Sequence, residues 1–275
     1  MLTTWIATSL FAQSSGPTMK AIVVHQFGGP EVLKLEVVPR PEPKEDEILV
    51  KVIAAGVNSF DGGLRSGTWA KIFKINLPWI PGYDIAGTVE KVGGKVTKFK
   101  AGDPVYALIS LLGGGGDAEY AIAKEDQAAP KPATISFTEA AAVPSVALTA
   151  WQALVDKADI QSGQTVLIHG ATGGMGISAL QICKARGIRV IGSGGTEKGR
   201  KLLLEEGADF VVDHKDPGHL DQVLKLTDGH GVDVILENLA NVNLGGDLKA
   251  LAPHGRVLVV GSRGKVEIDP RDTMN

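Results

Sequence analysis

The sequence is nearly without cysteine: Cys183 is the only one in 275 residues. That excludes a disulfide framework and any metal site needing two thiolates. It suits a reducing compartment, and we expect a cytoplasmic protein. Net charge is small too, −3, so no global field favours nucleic acid or an anionic membrane. No apolar run has the length of a membrane span. Residues 1–18 carry no charged side chain. They therefore have neither the basic start of a secretory leader nor the arginines of a mitochondrial one. We read 1–18 as a disordered extension.

Glycine, by contrast, is abundant, and its 35 copies gather in specific turns. From Met19 to about residue 144, short strand-like runs alternate with turn signals. KAIVV (20–24), VLKLEVV (32–38), EILVKVIAAGV (47–57), IAGTVEKVG (85–93), AGDPVYAL (101–108) and AEYAIA (118–123) read as a mostly β domain. From 145 to 275 the pattern becomes strand–helix alternation. TVLIHG (165–170), IRVIGS (188–193), ADFVVDH (208–214), VDVILEN (232–238) and GRVLVVGS (255–262) are strands. Helices are predicted at 176–187, 197–207, 217–228 and near 245–251. That is a doubly wound parallel sheet of the Rossmann type, giving an α/β fold class overall. Five strands are readable where six are usual, so the fold is expected to be cut short at Asn275.

The strongest motif is HGATGGMG, His169 to Gly176, at the end of the first parallel strand and the start of its helix. Ala171, Gly173 and Gly176 fall on the three glycine positions of the dinucleotide fingerprint. The second glycine lets the backbone approach a pyrophosphate, and the third allows close helix–sheet packing. The helix N-terminus offers free N–H groups to the phosphates. At the end of the second strand, Gly192-Ser193-Gly194-Gly195-Thr196 stands where an NAD enzyme keeps a carboxylate for the ribose 2′-OH. Lys198, Arg200 and Lys201 follow. This favours NADPH, the alternative being solvated charges on a helix face.

In order along the chain, MKAIVV with FGGPEVLKL, AGVNSFD…RSGTW, PGYDIAGTVEKVG, HGATGGMG, ENLANVNL and VVGSRGKVEIDPRDTM resemble the zinc-free quinone oxidoreductases of the medium-chain dehydrogenase/reductase superfamily. The last two motifs resemble its zeta-crystallin-like members. The resemblance covers Met19 to about Thr273. It implies a GroES-like catalytic β domain (19–144) followed by a Rossmann domain (145–275) whose last strand and C-terminal return segment are missing. Zinc-dependent relatives carry Gly-His-Glu where this chain has Gly82-Tyr83-Asp84, so no metal is expected. Asp84 reads as a structural carboxylate.

Residue by residue, the resemblance implies cofactor contacts at Thr172, Gly173, Gly174, Met175 and Gly176. It adds Gly195, His214, Asn243, Val260, Gly261, Ser262 and Arg263, with Lys198 as an addition. Asn58 and Asp61 match the family's polar positions beside the nicotinamide; an Asx turn after a strand explains them equally well. Gly63 departs from a tyrosine common at that cofactor position, and Trp69 is the nearby residue able to fill the space. No catalytic dyad is evident.

The function so implied is NADPH-dependent reduction of a quinone or other conjugated carbonyl acceptor, without zinc. An enone or alkenal double-bond reductase is the neighbouring enzyme reading. The resemblance also permits a non-enzymatic crystallin or an AU-rich RNA-binding protein, though the acidic charge argues against strong RNA binding. An inactive truncated isoform is the third reading. No membrane partner is expected. A homo-oligomer is typical of the family but doubtful without the interface strand, whose absence leaves an edge open.

Overall fold

A computed structural model describes residues 16–110 and 114–274. The chain divides into two compact units between Ser145 and Val146. Most of the expected extension, residues 1–15, lies outside the described residues. Its end is ordered: Thr18 opens the first strand and pairs with Pro39. Among the described residues no helix is long and apolar enough to cross a membrane.

The first unit begins with an antiparallel pair, β1 (Thr18–Val24) and β2 (Leu33–Pro39). There follow β3 (Glu47–Gly56), α1 (Ser59–Arg65), α2 (Ala70–Phe73), β4 (Asp84–Val92), β5 (Pro104–Leu108), β6 (Tyr120–Lys124), β7 (Ala128–Pro130) and α3 (Phe137–Ala141). The strands form a five-stranded antiparallel sheet in the order β6-β3-β4-β5-β7. Ile48, Val50, Ile85, Val105, Ala107 and Ala121 meet in its main core. The strand pattern was readable, but the short helices were not, because α1 has Gly62 and Gly63 inside it and glycine disfavours helix.

The second unit opens with α4 (Pro144–Trp151), which begins at the last residues of the first unit and continues as a π-helical turn to Lys157. Then come β8 (Thr165–Ile168), α5 (Gly174–Ala185), β9 (Arg189–Ser193), α6 (Glu197–Glu205), β10 (Phe210–Val212), α7 (His219–Leu226), β11 (Val232–Glu237), α8 (Ala240–Ala250) and β12 (Leu251–Val259). The five strands are parallel, in the order β10-β9-β8-β11-β12. Order 3-2-1-4-5 is the doubly wound arrangement, reversing direction at β8.

Alternation along each strand explains the two-sided cover. Val166, Ile168, Val190, Val234 and Leu236 point into a core shared with Ala179, Leu180 and Cys183 of α5. Their neighbours Leu167, Ile191 and Ile235 enter a second core with Val223 of α7 and Ala250 of α8. Each such side chain, once buried, contributes on the order of 2 kcal/mol. The helix stops also follow the sequence: α5 ends before Gly187, which adopts φ +70°, a left-handed conformation that only glycine takes freely.

Two boundaries differ from expectation. The helix predicted near 245–251 starts at Ala240, because Gly245 and Gly246 break the apolar periodicity without breaking the helix. β12 starts at Leu251, ahead of a register shift against β11 and a left-handed His254. A bulge hides such a start from a periodicity argument.

Candidate functional site

Every loop leaving a strand C-terminus lies along one edge of the parallel sheet, where open α/β sheets bind ligands. The expected cofactor residues of the second unit all follow β8, β9, β10, β11 or β12 along that edge. Cross-bonds hold the loops together. Gly170 N–H donates to Ser193 Oγ at 3.1 Å, and Ala171 N–H to the Ser193 carbonyl at 3.0 Å. Asn238 Nδ2 donates to the His169 carbonyl at 2.7 Å.

The glycines of the turn are glycines for different reasons. A Cβ on Gly176 would stand 2.5 Å from Ala171 Cα, so the fold itself forbids a side chain there. A Cβ on Gly173 would meet only the Gly170 carbonyl oxygen, at an ordinary 3.5 Å, with Gly173 in extended conformation at φ −80°. Packing does not require glycine at 173; the bare backbone leaves open space in front of the α5 N-terminus. Gly174 and Met175 complete the first turn, whose N–H groups have no intrahelical acceptors. The Met175 side chain packs against the sheet core, so only its backbone is free for a ligand.

At the end of β9, a Cβ on Gly195 would lie 2.5 Å from His214 Nε2. The imidazole therefore sits directly on the Gly195 backbone. Burial pulls the His214 pKa below its ordinary value, against the raising effect of Asp213. Thr172, Thr196, Lys198, Gly199 and Lys201 line a hollow of about 440 Å3 beside this point. Thr196 caps α6 by accepting the Gly199 N–H at 3.0 Å. Arg200 is turned away from the hollow: it bonds the Gly194 carbonyl and pairs with Asp213 at 2.7 Å. Lys201 stands 3.9 Å from Glu205, whereas Lys198 makes no ion pair among the described residues.

Beyond β11 and β12, Asn243 Nδ2 donates to Glu237 Oε1 at 3.2 Å. The N–H groups of Val260 and Gly261 reach the Glu237 carbonyl at 2.8 and 3.2 Å. Ser262 Oγ donates to the Gly264 carbonyl, and Arg263 N–H to Asn241 Oδ1 at 2.8 Å.

A buried cluster that no sequence motif marks lies beneath these loops. His169, Glu237 and Asp247 are all buried, and one ligand-type atom from each lies within 4.8 Å of the others. The usable signal is Glu237: a carboxylate that follows the apolar run Val234–Leu236 of a strand covered on both faces needs a partner.

In the first unit, Asn58 is the N-cap of α1, and Asp61 Oδ2 accepts the Asn58 N–H at 2.8 Å. The Asx-turn alternative is thus replaced by a helix cap. Asn58 Nδ2 also donates to Asp84 Oδ2 at 2.7 Å, while Ser145 N–H donates to Asp84 Oδ1 at 2.8 Å. Burial raises the Asp84 carboxyl to about 6 and also raises Asp61. Tyr83 is buried in the sheet core, and its hydroxyl hydrogen-bonds Ser145. Gly63 lies against the Trp69 indole, so closely that a Cβ would overlap the ring. Trp69 therefore does occupy the space a larger residue at 63 would take.

A GroES-like antiparallel unit followed by a Rossmann unit with a glycine-rich turn between β8 and α5 defines the medium-chain dehydrogenase/reductase class. Residues 44–133 match the alcohol dehydrogenase GroES-like domain and 174–275 the zinc-binding dehydrogenase family. The quinone oxidoreductase of Sus scrofa is 48% identical over 257 residues, covering 93% of this chain and 77% of that protein. That of Homo sapiens is 44% identical over the same shares. The solved quinone oxidoreductase from Coxiella burnetii superposes with a TM-score of 0.77 at 33% identity, covering 88% of this chain and 75% of that one. Mycobacterial Rv1454c complexed with NADPH gives 0.81 at 32%, covering 92% and 78%. The chain belongs to the quinone oxidoreductase family within that class, and it is an oxidoreductase with a pyridine nucleotide cofactor.

Proposed function

We propose that the protein reduces quinones with electrons from NADPH, without zinc. The observation that carries the cofactor assignment is the strand-edge geometry. Gly173 keeps open a space that packing does not demand, and the β9 end, Ser193-Gly194-Gly195-Thr196, has no carboxylate, while Lys198 lines the adjoining hollow together with Lys201 and Glu205. A nicotinamide dinucleotide fits there: the α5 N-terminus and Thr172–Gly176 suit the pyrophosphate. Gly195, His214 and Lys198 suit the adenosine end, with Lys198 beside the 2′-phosphate. Asn243 and Val260–Arg263 suit the remainder. When bound, NADPH supplies the hydride equivalent. The protein's own part is to bind, orient and exclude water rather than to supply a strong acid. Asn58 and Asp61 are the polar residues we assign to the nicotinamide side. The zinc-free reading rests on Tyr83, which stands in the sequence place of a ligand histidine and is committed to the core and to Ser145.

Two measurements test this. NADPH should raise the melting temperature and NADH much less, since ligand binding to the native state must stabilise it. Quinone-dependent NADPH oxidation should follow saturation kinetics in metal-free buffer. Equal stabilisation by both nucleotides defeats the cofactor assignment, and NADPH binding without quinone turnover defeats the activity.

A further inference from the structure

We propose that Glu237 and Asp247 share one buried proton, carried on Glu237 Oε2 and donated to Asp247 Oδ2, with His169 holding the other Asp247 oxygen. Through this triad Glu237 is a positioning residue for the loops that meet the dinucleotide. The second half of the inference rests on the cofactor reading above; the first half does not.

Glu237 and Asp247 are both 0% exposed, yet Glu237 Oε2 and Asp247 Oδ2 have no hydrogen-bond donor; His169 Nε2 stands 3.7 Å from Glu237 Oε2, beyond hydrogen-bond distance. Their other oxygens are served. Asp247 Oδ1 accepts from His169 Nε2 at 2.8 Å. Glu237 Oε1 accepts from the Leu239 N–H and from Asn243 Nδ2. Two buried carboxylates side by side, each with one bare oxygen, are costly twice over, by desolvation and by mutual repulsion. One proton between the bare oxygens removes both costs, as in carboxyl pairs that cannot both ionise. The two side chains are within hydrogen-bonding reach, and burial followed by this contact raises the Glu237 carboxyl above its ordinary range.

Other groups face the cluster from each surrounding element. Ser193 Oγ on β9 lies 3.5 Å from His169 Nδ1. The His219 ring on α7 stands edge-on to His169 at 6.0 Å, with its Nε2 buried and unpaired. His214, after β10, is the remaining titratable neighbour. None of these donates to the bare carboxylate oxygens. A cation bridging the three residues is a rival neutraliser. Against it, the 2.8 Å His169–Asp247 contact is a hydrogen bond that uses the Nε2 position a metal would need.

Positioning follows from what Glu237 holds. Its carbonyl receives Val260 and Gly261, and its carboxyl receives Leu239 and Asn243. His169, at the far side of the triad, carries the backbone that enters the phosphate turn and receives Asn238. One residue thus ties the loops after β8, β11 and β12 together.

The test uses the whole protein. Infrared spectroscopy without nucleotide should show a buried, protonated carboxyl C=O band that shifts in D2O and disappears in Glu237→Gln. NADPH titration supplies the second readout. Glu237→Ala should weaken NADPH by about tenfold or more, the scale of leaving buried polar partners unpaired. Glu237→Gln places an N–H donor where the acid proton stood and should recover most of that loss. Wild-type affinity should fall as pH rises through the Glu237 ionisation, while Glu237→Gln should respond less. No protonated carboxyl band, or Gln as damaging as Ala, overturns the proposal. So does stabilisation by Zn2+ or Mn2+ that Glu237→Gln abolishes. If the wild type shows the band but does not bind NADPH, the cofactor reading fails and the shared proton stands.

Discussion

The two units each bury a carboxylate at a strand end, and they treat it differently. Asp84, at the start of β4, has a donor for each oxygen, Asn58 Nδ2 and Ser145 N–H. Glu237, at the end of β11, shares its burial with Asp247, and each keeps one bare oxygen. Burial raises both carboxyls. A fully partnered carboxylate acts as a joint that fixes its neighbours. A half-partnered pair differs in leaving one oxygen of each carboxyl for a proton to bridge. The same division separates the glycines: Gly63 and Gly176 have no room for a side chain, whereas Gly173 does.

The contrast between Gly176 and Gly173 breaks most sharply under substitution. Gly176→Val forces a branched side chain onto the Ala171 backbone and should cost more than about 3 kcal/mol of stability, seen as loss of cooperative unfolding or a much lower Tm. Gly173→Ala should unfold within about 0.5 kcal/mol of wild type yet lose most NADPH-dependent stabilisation. Equal destabilisation by both would mean that packing alone explains the turn.

The carboxylate contrast is sharpened by pH. Asp84 is held at about 6, above its ordinary 3.8, so the native state binds this proton more tightly than the unfolded chain. Stability from this group is complete below pH 4 and is lost as pH climbs through about 6. The loss is on the order of 2–3 kcal/mol. In Asp84→Asn the new amide can keep Ser145 as donor and bond an Asn58 amide turned end for end. Its denaturation profile should therefore be flatter between pH 4 and 7.

Smaller again is the Gly63–Trp69 pair. Gly63→Ala should destabilise by about 1 kcal/mol, with the loss largely absent in a Trp69→Ala background. A double-mutant cycle measures that coupling. Smallest is Lys198→Gln, which should lower the NADPH-over-NADH preference by a few-fold, the worth of one exposed cation near a phosphate.

What the sequence alone makes legible follows the same contrast. The parallel strands announced themselves because β8 and β11 each hold a compact apolar run, Val166–Ile168 and Val234–Leu236, and their turn glycines sit at fixed offsets. The first unit shows its strands but not α1, since the capping pair Asn58 and Asp61 opens a helix weakened by two glycines. The residues proposed for the cofactor side follow from motif and resemblance. The triad escaped because its members, His169, Glu237 and Asp247, lie on β8's loop, β11 and α8. Only the 3-2-1-4-5 strand order puts β8 beside β11. Arg200 was misjudged for a related reason: its partner Asp213 arrives from the next strand, and a one-dimensional reading saw only a basic run.

The open space at Gly173 has a consequence for how this chain accumulates change over generations. A residue required by packing is kept whatever the protein does, because losing it loses the fold. A residue required only by a bound nucleotide is kept while binding matters and drifts once it does not. On the proposed cofactor reading, position 173 is the turn's own record of use, and descendants of this chain that abandon the nucleotide should change there long before they change at 176.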